Sequence, residues 1–320
     1  MTTGCADVLL ELPRTATEAT PRAADNIDRA AINARGGFGV GPVRIELRSD
    51  LSDVVEDLAV LYRGCRHTAA AADRVIRMEV RAAARTRWGV KRYAILGDGK
   101  EIFGGLRPEE VLPYLEWGIN HRVIATCSEY LQLHAATLAH AGGGVMLVGE
   151  SGCGKSTLTV GLAARGWGYL SDEFALIAPD TLHVHPFPKA LCIKAGSFDV
   201  VRRLGLPLWR RRPYVKALKG KVGYVSPLDV NAETSAFPIR LIVFPRYTGV
   251  GRTALYPISR GRAAFSLAAN AFNRHLFGDR LVPLLAEVVR NAACVALEPG
   301  GMDETCDLLE SLVSSQRARD

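Results

Sequence analysis

Three features of this 320-residue chain predict an α/β fold. Residues 149–157 read GESGCGKST, with an apolar, strand-like run before them and a helix-like segment after them. Beyond about residue 130, strand-like and helix-like stretches alternate, as parallel α/β sheets require. Ahead of that point the texture is that of a small α+β domain. The division that follows is a disordered tail over 1–35, a small N-terminal α+β domain over 36–128, and a phosphate-loop domain over 129–320. The tail is rich in Ala, Thr, Arg and Asp and has no sustained apolar period.

Each element has a local reason. VRIELRSD (43–50) alternates as a strand. The segment 50–65 carries apolar residues at helical spacing, with Ser52 or Asp53 placed to cap it. Residues 74–82 and 91–104 read as strands, and GDGK (97–100) as a hairpin turn, because Asp-Gly suits positive φ. Residues 107–125 form a helix with Pro108 near its start. This region holds no reactive constellation, and scaffold or oligomer surface is its expected role. Then 130–140 and 142–150 read as two strands, 156–166 as a helix, and 168–179 as a strand region with acids in its middle. A late buried strand falls at 239–247, a helix and strand at 281–300, and a final helix at 302–315. There is no internal repeat.

Bulk properties narrow the function classes. A chain that is 48% hydrophobic can bury a large core. Its seven cysteines are odd in number and form no C-x-x-C pair, which points to reduced thiols rather than disulfides or structural zinc. The N-terminus lacks the basic and apolar regions of a signal peptide, and no apolar run reaches the roughly 18 residues of a membrane span. A cytoplasmic protein is expected. The net charge is +7, yet residues 189–221 alone carry ten Lys or Arg against one acid. That patch can attract phosphates or an acidic peptide. No aromatic-interleaved or DNA-binding pattern accompanies it, so nucleic acid is not an expected partner. The basic stretch 205–225, with Pro207 and Pro213, reads as a mobile lid.

GESGCGKS matches G-x-x-x-x-G-K-[ST] through Gly149, Gly154, Lys155 and Ser156. Glycines let the amides of Gly149, Glu150, Ser151, Gly152, Cys153, Gly154, Lys155, Ser156 and Thr157 turn toward a phosphate. Lys155 brings charge to the β and γ phosphates, and the Ser156 hydroxyl completes a Mg²⁺ shell. The following helix adds its N-terminal dipole. Motor and switch classes fit poorly: IRLIVFPRY ends in Pro and Arg rather than an acid, and no transporter-type or guanine-reading signature is present. The nearest acids are Asp172 and Glu173, only 17 residues beyond Lys155. One helix and a turn bring them back to the phosphates, where a carboxylate can hold Mg²⁺ or accept a hydroxyl proton.

The run LHAATLAH…GGGVMLVGESGCGKSTLTVGLAARGWGYLSDEFALI resembles the catalytic domain of bacterial HPr kinase/phosphorylase. It is closer still to HPr-kinase-related proteins of exosortase and lasso-peptide systems, which share the HPFPKALCIKAGS pattern. The likeness spans roughly 38–310, with its specific motifs in 131–197. It implies a P-loop kinase domain of the HPr kinase/PEP carboxykinase-like type, using ATP and Mg²⁺. It also implies that His134 sits near the transferred phosphoryl group, that Asp172 activates the acceptor hydroxyl, and that Glu173 helps the metal. LCIKAGS departs from the parent signature, with Cys192 where an acid stands and Lys194 near the arginine. GRAAFSLAANAFNR loosely resembles an arginine-bearing segment, making Arg262 a weak candidate beside Lys194, with Arg246 and Arg252 as rivals. A homo-oligomer is implied as well. The expected activity is an ATP-dependent serine kinase acting on a peptide or protein hydroxyl. The alternatives are an ATP-binding regulatory module without transfer and a kinase of a small hydroxyl-bearing molecule.

Overall fold

Strict alternation of inward and outward residues makes VRIELRS a strand with one buried face. In the computed structural model, which describes residues 34–62, 74–83, 89–217, 219–247 and 251–317, that strand is β2 (Val43–Ser49). It pairs antiparallel with β1 (Ala34–Val40). Ala34 and Arg35 are therefore strand residues rather than tail; the remaining tail, and the last residues of the expected 50–65 helix, lie outside the described residues. The helix is α1 (Ser52–Leu61). Neither Ser52 nor Asp53 caps it. Leu51 is the N-cap residue without a side-chain bond, and Ser49 Oγ accepts the Leu51 amide at 3.1 Å. As a crossover, α1 lets β3 (Val75–Ala83) run parallel to β2. β4 (Arg92–Gly97) and β5 (Lys100–Leu106) close the sheet through the expected tight turn, with Asp98 at φ 47° and Gly99 at φ 80°. α2 (Pro108–Thr126) packs across this sheet; at its start the Arg107 amide donates to Glu110 Oε2 at 2.8 Å.

A second sheet follows, built from β6 (Leu131–His140), β7 (Gly143–Val148), β8 (Gly168–Ser171), β9 (Phe174–Ile177), β10 (His183–His185), β14 (Phe237–Pro245), β15 (Ala254–Pro257) and β16 (Ala293–Glu298). Its order is β10-β9-β6-β7-β14-β16-β15, with β8 pairing to β6. β7, β14 and β16 are parallel, while β6 and β15 run against them. Parallel central strands buried on both faces explain the unbroken apolar run Val145–Val148. One face packs on α3 (Lys155–Ala164) and α8 (Met302–Arg317) through residues such as Leu162 and Leu309. The other packs on α5 (Arg260–Ala269) and α7 (Leu281–Arg290), with the short α6 (Arg274–Phe277) between them.

The third sheet, β11-β13-β12, corrects one expectation. The stretch read as a mobile lid forms β12 (Trp209–Lys216) and β13 (Gly220–Val225), paired to β11 (Leu191–Lys194). Tyr214, Val222 and Tyr224 are fully buried, in the same core as Ile45, Ile95 and Leu112 of the first sheet and its helix. Two of the charges that suggested mobility are paired instead. Arg211 meets Glu56 and Asp57 of α1 at 2.7 and 2.8 Å, and Arg212 meets Asp53. α4 (Phe198–Arg203) links β11 to this hairpin. No helix among the described residues is long and apolar enough to cross a membrane.

Candidate functional site

The 149–157 loop leaves the buried end of β7 and enters α3 at Lys155. Gly152 and Gly154 adopt φ of 99° and 98°, a region closed to most side chains, so the loop can coil tightly. Gly149 is needed for close approach: a Cβ there would lie 2.9 Å from Cys153 Sγ. Lys155 is buried, and its ammonium donates to the Glu150 carbonyl at 3.0 Å and to that of Gly149. The positive head is thus suspended across the loop. Thr157 Oγ1 shares a 2.7 Å hydrogen bond with Ser197 Oγ of the 3₁₀ turn Ala195–Ser197, which ties the loop to β11.

The acids arrive on the strand next to β7's antiparallel partner. β8 and β9 both pair with β6, and the chain breaks between them at Asp172–Glu173. Ser171 Oγ accepts the amides of Glu173 and Phe174 at 3.3 and 3.1 Å, fixing this corner. Ser156 Oγ donates to Asp172 Oδ2 at 2.9 Å, while Asp172 Oδ1 is buried with no hydrogen-bond partner. His134 lies opposite Phe174 on β6, its amide donating to the Asn270 carbonyl at 2.8 Å. Its Nδ1 is likewise buried without a partner.

Burial and neighbouring charge set the protonation states. Burial, reinforced by Glu173, pushes the Asp172 carboxyl up to about 7. Burial together with the Lys155 charge pushes His134 down to about 4, so its imidazole is neutral at pH 7. For Glu173, burial works upward, but the charges of Lys189 and Lys216 outweigh it and hold the carboxyl well below its usual range. Two adjacent carboxylates are thereby driven apart in acidity. Lys189, only 3% exposed, is the buried counter-charge to this corner; burial lowers it, and Glu116 and Glu173 raise it above its ordinary value.

These groups open on one cavity of about 970 Å³. Its wall includes Ser151, Gly152, Cys153, Gly154, Lys155, Ser156 and Thr157, together with His134, Asp172, Glu173 and Lys194. Gly149 and Glu150 are not in the wall; their carbonyls are turned to Lys155. Arg262 is not in the wall either. It sits in the first turn of α5, where Arg260 reaches the Arg290 carbonyl and the Ile258 amide bonds the Cys294 carbonyl, at the end of the parallel strands opposite the loop. Arg246 and Arg252 also lie outside it. Among the described residues, the arginine that lines the cavity is Arg203 at the end of α4, joined by Lys216 and Lys219 from the hairpin. All three belong to the basic run, whose charge was legible and whose direction was not.

Among the described residues, no group of three or more His, Cys, Asp or Glu side chains stands together as a metal cage. The donor set suits Mg²⁺ all the same. This ion takes one or two protein carboxylates and fills its octahedron with water and substrate phosphates. A serine hydroxyl against Asp172, and a buried carboxylate oxygen without a partner, are donors of that kind.

A family model described as "ScmC: SynChlorMet cassette protein ScmC" matches residues 119–203, from the second half of α2 to the end of α4. That stretch holds the loop, His134 and the acid pair. No curated protein matches the chain. Among solved structures, the chain is similar to one titled "Structure of the Hpr(Ser) kinase/phosphatase from Coxiella burnetii", at 13% identity and a TM-score of 0.30, covering 59% of this chain and 91% of that one.

Proposed function

We propose that this protein is an ATP- and Mg²⁺-dependent phosphotransferase that phosphorylates a hydroxyl, of the serine class, on a peptide or protein acceptor. The observation that carries the reading is the buried Ser156–Asp172 pair beside the loop lysine, with Asp172 Oδ1 left without a partner. Burying a carboxylate is costly, and nucleotide binding alone does not require one at this place.

The loop amides and Lys155 hold the donor phosphates. Ser156, Asp172 and Glu173 would hold Mg²⁺, which when bound neutralises phosphate charge. Asp172 Oδ1 accepts the proton of the acceptor hydroxyl as its oxygen bonds to the γ phosphorus, and the bond from that phosphorus to the ADP oxygen breaks. With no metal bound, burial pushes this carboxyl up to about 7, toward the range of a base working near neutral pH. Neutral His134 faces the same space and can orient the acceptor oxygen. Lys194, Arg203, Lys216 and Lys219 set positive charge around the transferring group and favour an anionic acceptor.

The test compares wild type with Asp172→Asn, using γ-labelled ATP, Mg²⁺ and a lysate of the source cells or peptides encoded beside the gene. Label should pass to an acceptor with wild type only, while both proteins bind ATP. Full transfer by the Asn variant would remove Asp172 as the base. Tight binding without label in either protein would favour a nucleotide-dependent binding module.

A further inference from the structure

The strand order gives the cavity two ends. Asp172 and Glu173 form the corner between β8 and β9, and His134 lies on β6, all on one side of β7. On the other side, the cavity wall is made where the chain leaves β14 and β16. The two walls differ in chemistry. The β6 side is charged, with Lys216 and Lys219 near Glu173 and Lys194 also in the wall. The β14/β16 side presents Pro245, Tyr247, Pro299, Gly300 and Met302. A donor whose terminal phosphate reaches Asp172 across the loop can point its other end at that second wall.

Tyr247 dominates this wall. It is 60% exposed although it lines a concave surface, and it stands against the loop: a Cβ on Gly154 would lie 3.7 Å from its Cβ. An aromatic face open to a cavity is a stacking platform. The opposing rim is preformed. The Gly300 amide donates to Thr253 Oγ1 at 3.1 Å, and that hydroxyl shares a 2.9 Å bond with Thr305 Oγ1. Thr305 is engaged by Thr253, and the Asp303 carboxylate, 90% exposed, meets Arg165 through one oxygen at 3.0 Å. The open aromatic surface on this side is suited to a ring face.

We infer that the β14/β16 wall is the nucleoside subsite, with the Tyr247 ring stacking on the base of the donor. This rests on the reading of the 149–157 loop as the donor's phosphate site, and the test separates the two. Isothermal titration in the presence of Mg²⁺ measures ATP and inorganic triphosphate binding to wild type, Tyr247→Ala and Tyr247→Phe. Tyr247 is exposed, so neither substitution disturbs the core. ATP should bind wild type more tightly than triphosphate does. Tyr247→Ala should raise the ATP Kd on the order of tenfold, as loss of one base–aromatic stack does, and leave triphosphate unchanged. Tyr247→Phe should retain wild-type ATP affinity. Unchanged ATP affinity in Tyr247→Ala, equal losses for both ligands, or equal wild-type affinity for both would overturn the subsite while leaving the phosphate site standing. If neither ligand binds wild type, the phosphate site itself falls and the subsite with it.

Discussion

Removing the tyrosine hydroxyl that fastens the basic hairpin should loosen it measurably. Tyr214 OH donates to Asp57 Oδ2 across 157 residues of sequence, and the acceptor is fully buried. Its second oxygen faces Arg211 Nε at 2.8 Å. A hydrogen bond to a charged partner contributes about 1.5–3 kcal/mol, so Tyr214→Phe should cost about that much. Asp57→Ala does more, because it strands the hydroxyl and one face of Arg211 together. Breaking a buried pair costs about 3–5 kcal/mol, and the lower end applies here. Arg211 is 34% exposed and keeps its 2.7 Å contact with Glu56. The double variant should cost less than the sum of the two, with a coupling of about 1–3 kcal/mol. Urea unfolding followed by tryptophan fluorescence, to which Trp209 on the same hairpin contributes, reads all four proteins. Loss of transfer should accompany loss of stability, since Lys216 and Lys219 ride on that hairpin. Single variants within about 0.5 kcal/mol of wild type would refute the anchoring, because surface changes have that size.

Two further outcomes follow from the site. In Mg²⁺-free buffer, Asp172 binds its proton up to about 7 in the folded state against 3.8 ordinarily, so stability falls as pH rises between those values. His134, held at about 4 against 6.5, loses stability as pH falls through that window. Thermal unfolding should therefore find Asp172→Asn more stabilising at pH 8 than at pH 5, and His134→Gln more stabilising at pH 4 than at pH 7. Separately, Arg203→Ala should lower kcat/KM for transfer by roughly tenfold or more, as loss of a charge-stabilising donor does. Arg262→Ala, at the far end of the sheet, should stay within about twofold.

The parts legible in the sequence were those in which spacing is local. The loop, the helix after it and the return of Asp172 within 17 residues needed one supersecondary unit, and the structure brings these groups to one cavity. The Asp98–Gly99 turn announced itself by residue type. β1 was missed because GGFGV is too rich in glycine to show an alternating face. The hairpin was misread because WRRRPYVK displays its charges, whereas the fact that fixes it, Tyr214 against Asp57, depends on pairing far along the chain. Arg262 was misplaced for a related reason. A helix that packs on the sheet has two ends, and only the direction of the parallel strands decides which one meets the loop. Tyr247 carried no signal beyond following a buried strand.

The core shared by the first sheet and the hairpin also sets an order of assembly during synthesis. The α1 acids emerge early, and their basic partners follow some 155 residues later, which at ribosomal speeds is on the order of ten seconds or more. The 149–157 loop is made in that interval, before Lys216 and Lys219 exist to wall its cavity and well before β16 closes the far rim. A nascent chain thus carries the 149–157 loop without the remainder of its cavity, and completion of that cavity waits for the late arrival of a hairpin that must dock onto the part of the molecule made first.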